Sequence, residues 1–108
     1  MKVVYISGPY TGNVCVNVKN AMDVAQELIE LGFAPYVPHL SHFMEINHPN
    51  HYETWMDIDM EFVRRCDYII RIEGDSYGAD REVELAKSLN IPVFYSIYEF
   101  NLFLHVKA

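Results

Sequence analysis

The sequence predicts an α/β fold in which helices cover both faces of a small parallel β-sheet. Three observations support this prediction. The chain has 108 residues, which suits a single domain over residues 1–108. Of these residues 51% are apolar or aromatic, which is enough for a small core. Short β-branched and aromatic runs alternate with longer amphipathic runs, a pattern typical of parallel sheets of the flavodoxin-like or Rossmann-like kind.

The first half of the chain predicts two strands and one helix. KVVYIS is β-branched and aromatic and stops at Gly8, as a buried strand followed by a loop does. Apolar residues then recur at three- and four-residue steps until Gly32, and glycine is common just after a helix. FAPYVPH contains two prolines, which favour an edge strand. The predicted elements are a strand at residues 2–7, a helix at residues 14–31, an edge strand at residues 33–39, and an irregular loop or short turn at residues 40–52.

The second half predicts two strands and three helices. DYIIRI has a continuous apolar stretch, which indicates a strand buried on both faces of the sheet. The predicted helices are residues 53–66, 79–89 and 97–106, and the predicted strands are residues 67–72 and 92–96. The last helix, IYEFNLFLHV, is so apolar that we expect it to bury surface in a homo-oligomer, either a dimer or a larger assembly.

The charge balance argues against several classes of partner. Fifteen Asp and Glu against eight Lys and Arg give a net charge of −7, whereas nucleic acid polymers and anionic membranes are bound by clustered Lys and Arg. No run reaches the ~20 apolar residues of a membrane span, and the N-terminus shows no secretory signal. Cys15 and Cys66 lack CxxC spacing, so we expect two free, buried thiols in a reducing compartment. These features predict a cytoplasmic protein.

Two loops are expected at the carboxyl edge of the sheet, where ligands bind in folds of this kind. SGPYTGN follows the first strand, and EGDSYGAD follows the third. Both contain glycine and hydroxyl residues, and both lead into helix N-termini, whose free amides favour an anion such as phosphate. Neither loop matches a standard nucleotide-binding fingerprint. Glycines that merely permit tight turns are therefore the alternative interpretation.

Two acidic residues lie on apolar helix faces. Glu84 is three positions before Lys87 on a solvated face, but Glu82 shares its face with Leu85 and Ala86. Glu82 also falls in the first or second turn of its helix, near the ligand-binding edge of the sheet.

The preceding helix shows the same contrast. Asp57 lies on a charged face, whereas Asp59 shares a face with Trp55 and Phe62. A carboxylate on an apolar face costs free energy unless it is hydrogen-bonded, and burial raises its pKa. Two half-buried acids at a ligand-binding edge suggest a nucleophile and a proton donor. Structural acids that cap backbone amides are the alternative.

Three motifs in this order resemble the nucleoside 2-deoxyribosyltransferase superfamily. They are YISGPYTG near the N-terminus, CDYII at the third strand and SYGADRE, which fits the pattern SxGAxxE. The resemblance extends from Tyr5 to about Val93. It is closest to a short branch that is related to the 2′-deoxynucleoside 5′-phosphate N-hydrolase.

The resemblance implies roles for three residues. The glutamate that ends SYGADRE, Glu82, matches the family's nucleophile, and Asp59, eight residues before Asp67, matches its general acid. Tyr5 matches a strand-one tyrosine that reaches the nucleophile's carboxylate. The implied enzyme cleaves or transfers the N-glycosidic bond of 2′-deoxynucleosides through a covalent sugar ester on Glu82. Helical faces and family motifs thus select the same two acids.

The resemblance leaves the substrate's 5′ group open. Ser76 stands where the monophosphate hydrolases carry a serine, and the neighbouring Asp75 is the alternative, as a ligand for a 5′-hydroxyl. The implied substrates are a deoxynucleoside or its monophosphate, with a free nucleobase as a possible acceptor. A nucleotide-binding module without catalysis is the alternative of another class. The residues expected to hold a 5′-phosphate are Gly8, Thr11, Gly12, Ser76 and Gly78.

Four histidines fall close together, but they lack the spacing and the Cys or acidic partners of a zinc site. We therefore expect no metal, and the implied chemistry needs no cofactor. His39 and His42 are expected to border the pocket for the base. The aromatic residues available to stack on a base are Tyr10, Phe43, Tyr52 and Trp55.

Overall fold

The computed structural model describes residues 1–107, and these form one four-stranded sheet and five α-helices. The strands are β1 (Val3–Ser7), β2 (Ala34–Tyr36), β3 (Tyr68–Arg71) and β4 (Val93–Phe94). The helices are α1 (Val14–Glu30), α2 (His42–Asn47), α3 (Tyr52–Arg65), α4 (Tyr77–Ser88) and α5 (Ile97–Lys107), and a 3-10 turn at Pro38–Ser41 precedes α2.

All strand pairs in the sheet are parallel, and the strand order is β2-β1-β3-β4. The predicted α/β fold of the flavodoxin-like class is therefore confirmed. β2 lies at an edge, as its prolines indicated, and β3 is buried along its whole length. β4 is shorter than predicted because the amide of Tyr95 donates to the Glu99 carboxylate, at 2.8 Å, instead of continuing the sheet.

Successive residues of β1 face opposite sides of the sheet, and each side has its own core. Val4 and Ile6 pack under α1 and α5, whereas Tyr5 packs under α3 and α4. Ser7 follows Tyr5 by two positions, so it lies on the same side. The first core contains Val4, Ile6, Ala21, Ala25, Leu28, Tyr68, Ile70 and Phe100, and the second contains Tyr5, Val63, Cys66, Ile69 and Ala86.

The segment between β2 and α3 is more ordered than the predicted irregular loop or short turn. Pro38 begins the 3-10 turn, since its fixed φ suits a first helical position, and the six-residue α2 follows at once. Helix α4 also begins earlier than predicted. The Ser76 hydroxyl caps it by accepting a hydrogen bond from the amide of Ala79 at 3.1 Å. Both features shape the cavity described below.

Two predictions concern the surface of the protein: the burial of the cysteines and the association of copies through the last helix. Cys66 is buried but Cys15 is exposed, so the predicted burial of both free thiols was wrong for Cys15. Helix α5 keeps large apolar side chains exposed, among them Tyr98, Leu102 and Val106. Association of copies through this helix stays a prediction. Within residues 1–107, no helix has both the length and the apolar character to cross a membrane.

Gly74 lies in the loop between β3 and α4, where the backbone conformation and the neighbouring atoms both disfavour a residue with a side chain. Its φ is +126°, and a Cβ there would lie 2.7 Å from Cγ of Pro9. Its carbonyl also accepts a hydrogen bond from the Arg71 guanidinium at 2.9 Å. We expect Gly74→Ala to lower the free energy of unfolding by about 1–3 kcal/mol, measured by chemical denaturation. Gly12→Ala is the control because Gly12 has φ +94° but open space around it. An equal loss in both variants would contradict a role for the Pro9 contact.

Candidate active site

A cavity of about 500 Å³ opens at the carboxyl edge of the sheet. Its floor and walls come from the loop after β1, the 3-10 turn, helix α2, one face of α3 and the first turns of α4. This is the position at which ligands bind in folds with parallel sheets. The residues of α3 that line it are Tyr52, Trp55, Met56 and Asp59, and those at the start of α4 are Ser76, Tyr77, Gly78, Ala79 and Glu82.

Glu82 lies in the cavity and is only 5% exposed. Both of its carboxylate oxygens accept hydrogen bonds from side chains of β1. Tyr5 Oη donates to Oε2 at 2.8 Å, and Ser7 Oγ donates to Oε1 at 2.7 Å. Burial raises the pKa of Glu82, and the hydrogen bonds from Ser7 and Tyr5 oppose that rise. The two hydroxyls thus fix the carboxylate in one orientation and favour its charged form.

Asp59 lines the same cavity from α3. Burial, and then the negative charge of Glu82, raises the pKa of Asp59 to about 7. Of the two acids, Glu82 has two hydroxyl donors that stabilise its negative charge, whereas Asp59 titrates near neutral pH. A hydrogen-bonded carboxylate and an acid that can exchange a proton near neutral pH therefore line one cavity, which permits nucleophilic attack together with proton donation.

The hydroxyl of Tyr5 keeps its proton under all ordinary conditions. Burial, and then the charge of Glu82, raises the pKa of Tyr5 well above its usual value. Ser7, which also binds Glu82, was not predicted from the sequence. Residues two apart on a strand face the same side, so the strand period indicates its place beside Tyr5.

The remaining predicted binding residues divide into two groups. Gly12 and Asp75 do not line the cavity, and both are exposed. Gly12 instead turns the chain into α1, where its carbonyl accepts a hydrogen bond from the amide of Val14 at 3.0 Å. Asp75 precedes the capping residue of α4 and is exposed. The predicted residues that do line the cavity with Glu82 and Asp59 are Gly8, Thr11, His39, Ser76 and Gly78.

The predicted stacking residues also divide. Tyr10, Tyr52 and Trp55 line the cavity, whereas Phe43 is 62% exposed and lies outside it. A carboxylate that was not predicted, Glu45 of α2, joins this wall and accepts a hydrogen bond from Trp55 Nε1 at 2.6 Å. It was missed because this segment was expected to be an irregular loop.

His39 is buried in the wall and neutral. Its exposed fraction is 4%, and Nε2 donates to the carbonyl of Pro9 at 3.1 Å. Burial lowers the pKa of His39. His42 does not line the cavity, but its Nδ1 is 2.5 Å from the hydroxyl of Tyr10, which does. Among residues 1–107, no three or more His, Cys, Asp or Glu side chains are grouped so that they could hold a metal ion.

Removing the hydroxyl of Tyr5 tests how Glu82 is held. In Tyr5→Phe we expect the pKa of Glu82 to rise further, because one of the two hydrogen bonds that favour its charged form is lost. We also expect a loss of about 1–3 kcal/mol in the free energy of unfolding, since a buried oxygen loses its donor. Carboxyl NMR titration and chemical denaturation measure these effects. Tyr98→Phe, at an exposed position, is the matched control. An unchanged pKa would mean that Tyr5 does not stabilise the carboxylate.

Solved structures of two other proteins share this fold. The 2-deoxyribosyltransferase from Bacillus psychrosaccharolyticus aligns with a TM-score of 0.62 and 22% identity, over 84% of this chain and 69% of its own. The 2-desoxiribosyltransferase from Leishmania mexicana aligns with a TM-score of 0.66 and 18% identity, over 86% of this chain. This chain spans 62% of the length of the Leishmania protein. At these identities the likeness establishes the fold.

Sequence comparison gives the family. No curated protein is significantly similar in sequence. A family model described as a domain of unknown function (DUF7768) matches residues 2–96, which include every residue of the cavity wall. The chain therefore belongs to the family described as DUF7768.

Proposed function

We propose that this protein is an enzyme that cleaves the N-glycosidic bond of 2′-deoxynucleosides and passes the sugar to a second base or to water. One observation carries the proposal: Glu82, held by two hydroxyls, and Asp59, with its pKa raised to about 7, line the same cavity. The fold shared with two deoxyribosyltransferases supports the choice of substrate. The cavity volume, about 500 Å³, lies within the usual range for sites that bind small molecules.

The proposed first step forms a sugar ester on the enzyme. A carboxylate oxygen of Glu82 attacks C1′ of the deoxyribosyl group, and the bond between C1′ and the base nitrogen breaks. The electron pair of that bond leaves with the base, which takes a proton from Asp59. The hydrogen bonds from Tyr5 and Ser7 leave Glu82 free to react, because each carboxylate oxygen has two lone pairs.

The proposed second step releases the sugar from Glu82. A nitrogen of an acceptor base attacks C1′, the ester bond breaks, and the proton of the incoming base passes to Asp59. This restores both acids and makes a new deoxynucleoside. If water attacks instead, free deoxyribose is released and the protein acts as a hydrolase.

The first turn of α4 favours a second candidate, a deoxynucleoside 5′-monophosphate N-glycosidase. Ser76, Tyr77 and Gly78 line the cavity at the N-terminus of this helix, where amides and the helix dipole favour an anion. The Ser76 hydroxyl accepts from the amide of Ala79, so its own proton stays available for a substrate oxygen. Asp75, the alternative ligand for a 5′-hydroxyl, is not part of the wall.

A single set of incubations tests the proposal and separates these activities. The protein is incubated with a deoxynucleoside or its 5′-monophosphate, with and without a different free base, and products are separated by chromatography. A new deoxynucleoside formed only with the added base identifies a transferase. Base released from the monophosphate in water identifies the glycosidase. Binding of substrate without any product would contradict the proposal and support a nucleotide-binding module without catalysis. Ribonucleosides serve as the control for the sugar.

A further inference from the structure

Side chains of α3 contact two different parts of the cavity wall, one formed by α4 and one formed by α2. Met56 contacts the first turn of α4, because a Cβ at Gly78 would lie 3.2 Å from its Sδ. Trp55 lies about 100° away around the helix and donates its indole N–H to Glu45 of α2. Asp59 lies between these two directions. The cavity therefore has an α4 wall and an α2 wall, with the proposed proton donor between them.

This arrangement sets the direction of a bound nucleoside, if the proposed function holds. In a nucleoside, the base and the 5′ group leave the sugar ring from opposite sides of its oxygen. With C1′ at Glu82 and the 5′ group at the first turn of α4, the base points toward the α2 wall. Trp55 precedes Asp59 by one helical turn, about 5–6 Å. Its partner Glu45 is thus near the edge of the base farthest from the sugar.

Glu45 offers only hydrogen-bond acceptors to that edge. Its Oε2 accepts from Trp55 Nε1 at 2.6 Å and from the amide of Asn50 at 3.0 Å. Oε1 receives only a longer contact from the same amide, 3.3 Å, and keeps acceptor capacity. A carboxylate binds N–H groups and repels carbonyl oxygens and ring nitrogens with lone pairs.

We propose that Glu45 is a specificity-determining residue that selects bases with a ring N–H beside an exocyclic amine. Guanine presents this pair of donors on the edge away from the sugar. Hypoxanthine has the ring N–H but lacks the amine, so deoxyguanosine and deoxyinosine differ at one of the two donors that Glu45 would recognise. The other common bases present a carbonyl oxygen or a ring nitrogen lone pair next to their donor.

Kinetics with these two substrates test the proposal. We expect wild-type protein to prefer deoxyguanosine over deoxyinosine in kcat/KM by at least about tenfold. Glu45→Gln should lower kcat/KM for deoxyguanosine by about 10- to 100-fold and for deoxyinosine by a smaller factor, because hypoxanthine offers Glu45 only the ring N–H. The glutamine carbonyl can still accept from Trp55 Nε1, and thermal unfolding checks that the variant is folded. Glu84→Gln, at an exposed position, is the matched control. Equal rates with both nucleosides, or an equal loss with both in Glu45→Gln, would overturn the proposal.

Binding measurements separate this proposal from the proposed reaction. Calorimetry on Glu82→Gln, with and without Glu45→Gln, compares the two nucleosides without turnover. Tighter binding of deoxyguanosine that Glu45→Gln removes supports the role of Glu45, even if wild-type protein releases no base and the proposed reaction fails. Base release together with equal binding of both nucleosides overturns the role of Glu45 alone. Binding of neither nucleoside overturns it as well.

Discussion

Glu82→Gln should abolish base release, with kcat falling by at least about 10⁴-fold. A neutral amide cannot form the sugar ester, so the covalent route is closed. The amide has nearly the same shape as the carboxylate, and its oxygen can still accept a hydrogen bond from Tyr5 or Ser7. We therefore expect a folded protein that binds nucleoside but does not turn it over. Chromatography of the released base gives the rate.

The control for this variant is Glu84→Gln, two residues away on the same helix but exposed. It should keep the wild-type rate. If Glu82→Gln kept activity within about tenfold of wild type, Glu82 would not be the nucleophile, because loss of a covalent nucleophile costs far more. The reaction would then have to be assigned to direct attack by water or base.

Asp59→Asn should slow base release by about 10²- to 10⁴-fold, the usual contribution of a general acid. The loss should be largest below about pH 7, where wild-type Asp59 holds its proton. In the wild type, kcat/KM should fall as pH rises through about 7, the value to which burial and Glu82 raise the pKa of Asp59. The variant should lack this alkaline decline. A pH profile with the same decline in both proteins would assign it to another group.

Asp59→Asn should also change how the stability of the folded protein depends on pH. The pKa of Asp59 rises from 3.8 to about 7 on folding, so the folded state favours the protonated form. The stability contributed by this preference is complete below pH 3.8 and is lost as pH rises through about 7. Asparagine does not titrate. The melting temperature of Asp59→Asn, measured relative to the wild type, should therefore increase from acid to neutral pH.

Glu82 and Asp59 could be predicted from the sequence because each sits on a helix face whose other members are apolar. Helical periodicity repeats over several turns, so a single polar residue on such a face is visible without coordinates. Ser7 was not predicted, although the two-residue period of a strand places it on the same side of the sheet as Tyr5. The α/β fold was predictable for a related reason, since alternating strand and helix patterns leave few topologies.

The α2 wall could not be predicted in the same way. Helix α2 has six residues, buries none of them and lacks a side-chain cap, so neither periodicity nor a capping signal identifies it. Glu45 belongs to this helix and was therefore not predicted to line the cavity. Gly12 and Asp75 were assigned to the site from loop composition and from the family resemblance. Composition permits a turn but does not fix which residues of the loop face the ligand.

Mass spectrometry of the protein during turnover tests the covalent role of Glu82 most directly. After rapid acid quenching of a reaction with deoxynucleoside and no acceptor base, we expect an adduct with the mass of one deoxyribosyl group. Proteolysis should place this adduct on Glu82, and Glu82→Gln should not form it. Base release at the wild-type rate with no adduct on any residue, or with the adduct on another residue, would contradict the proposed mechanism.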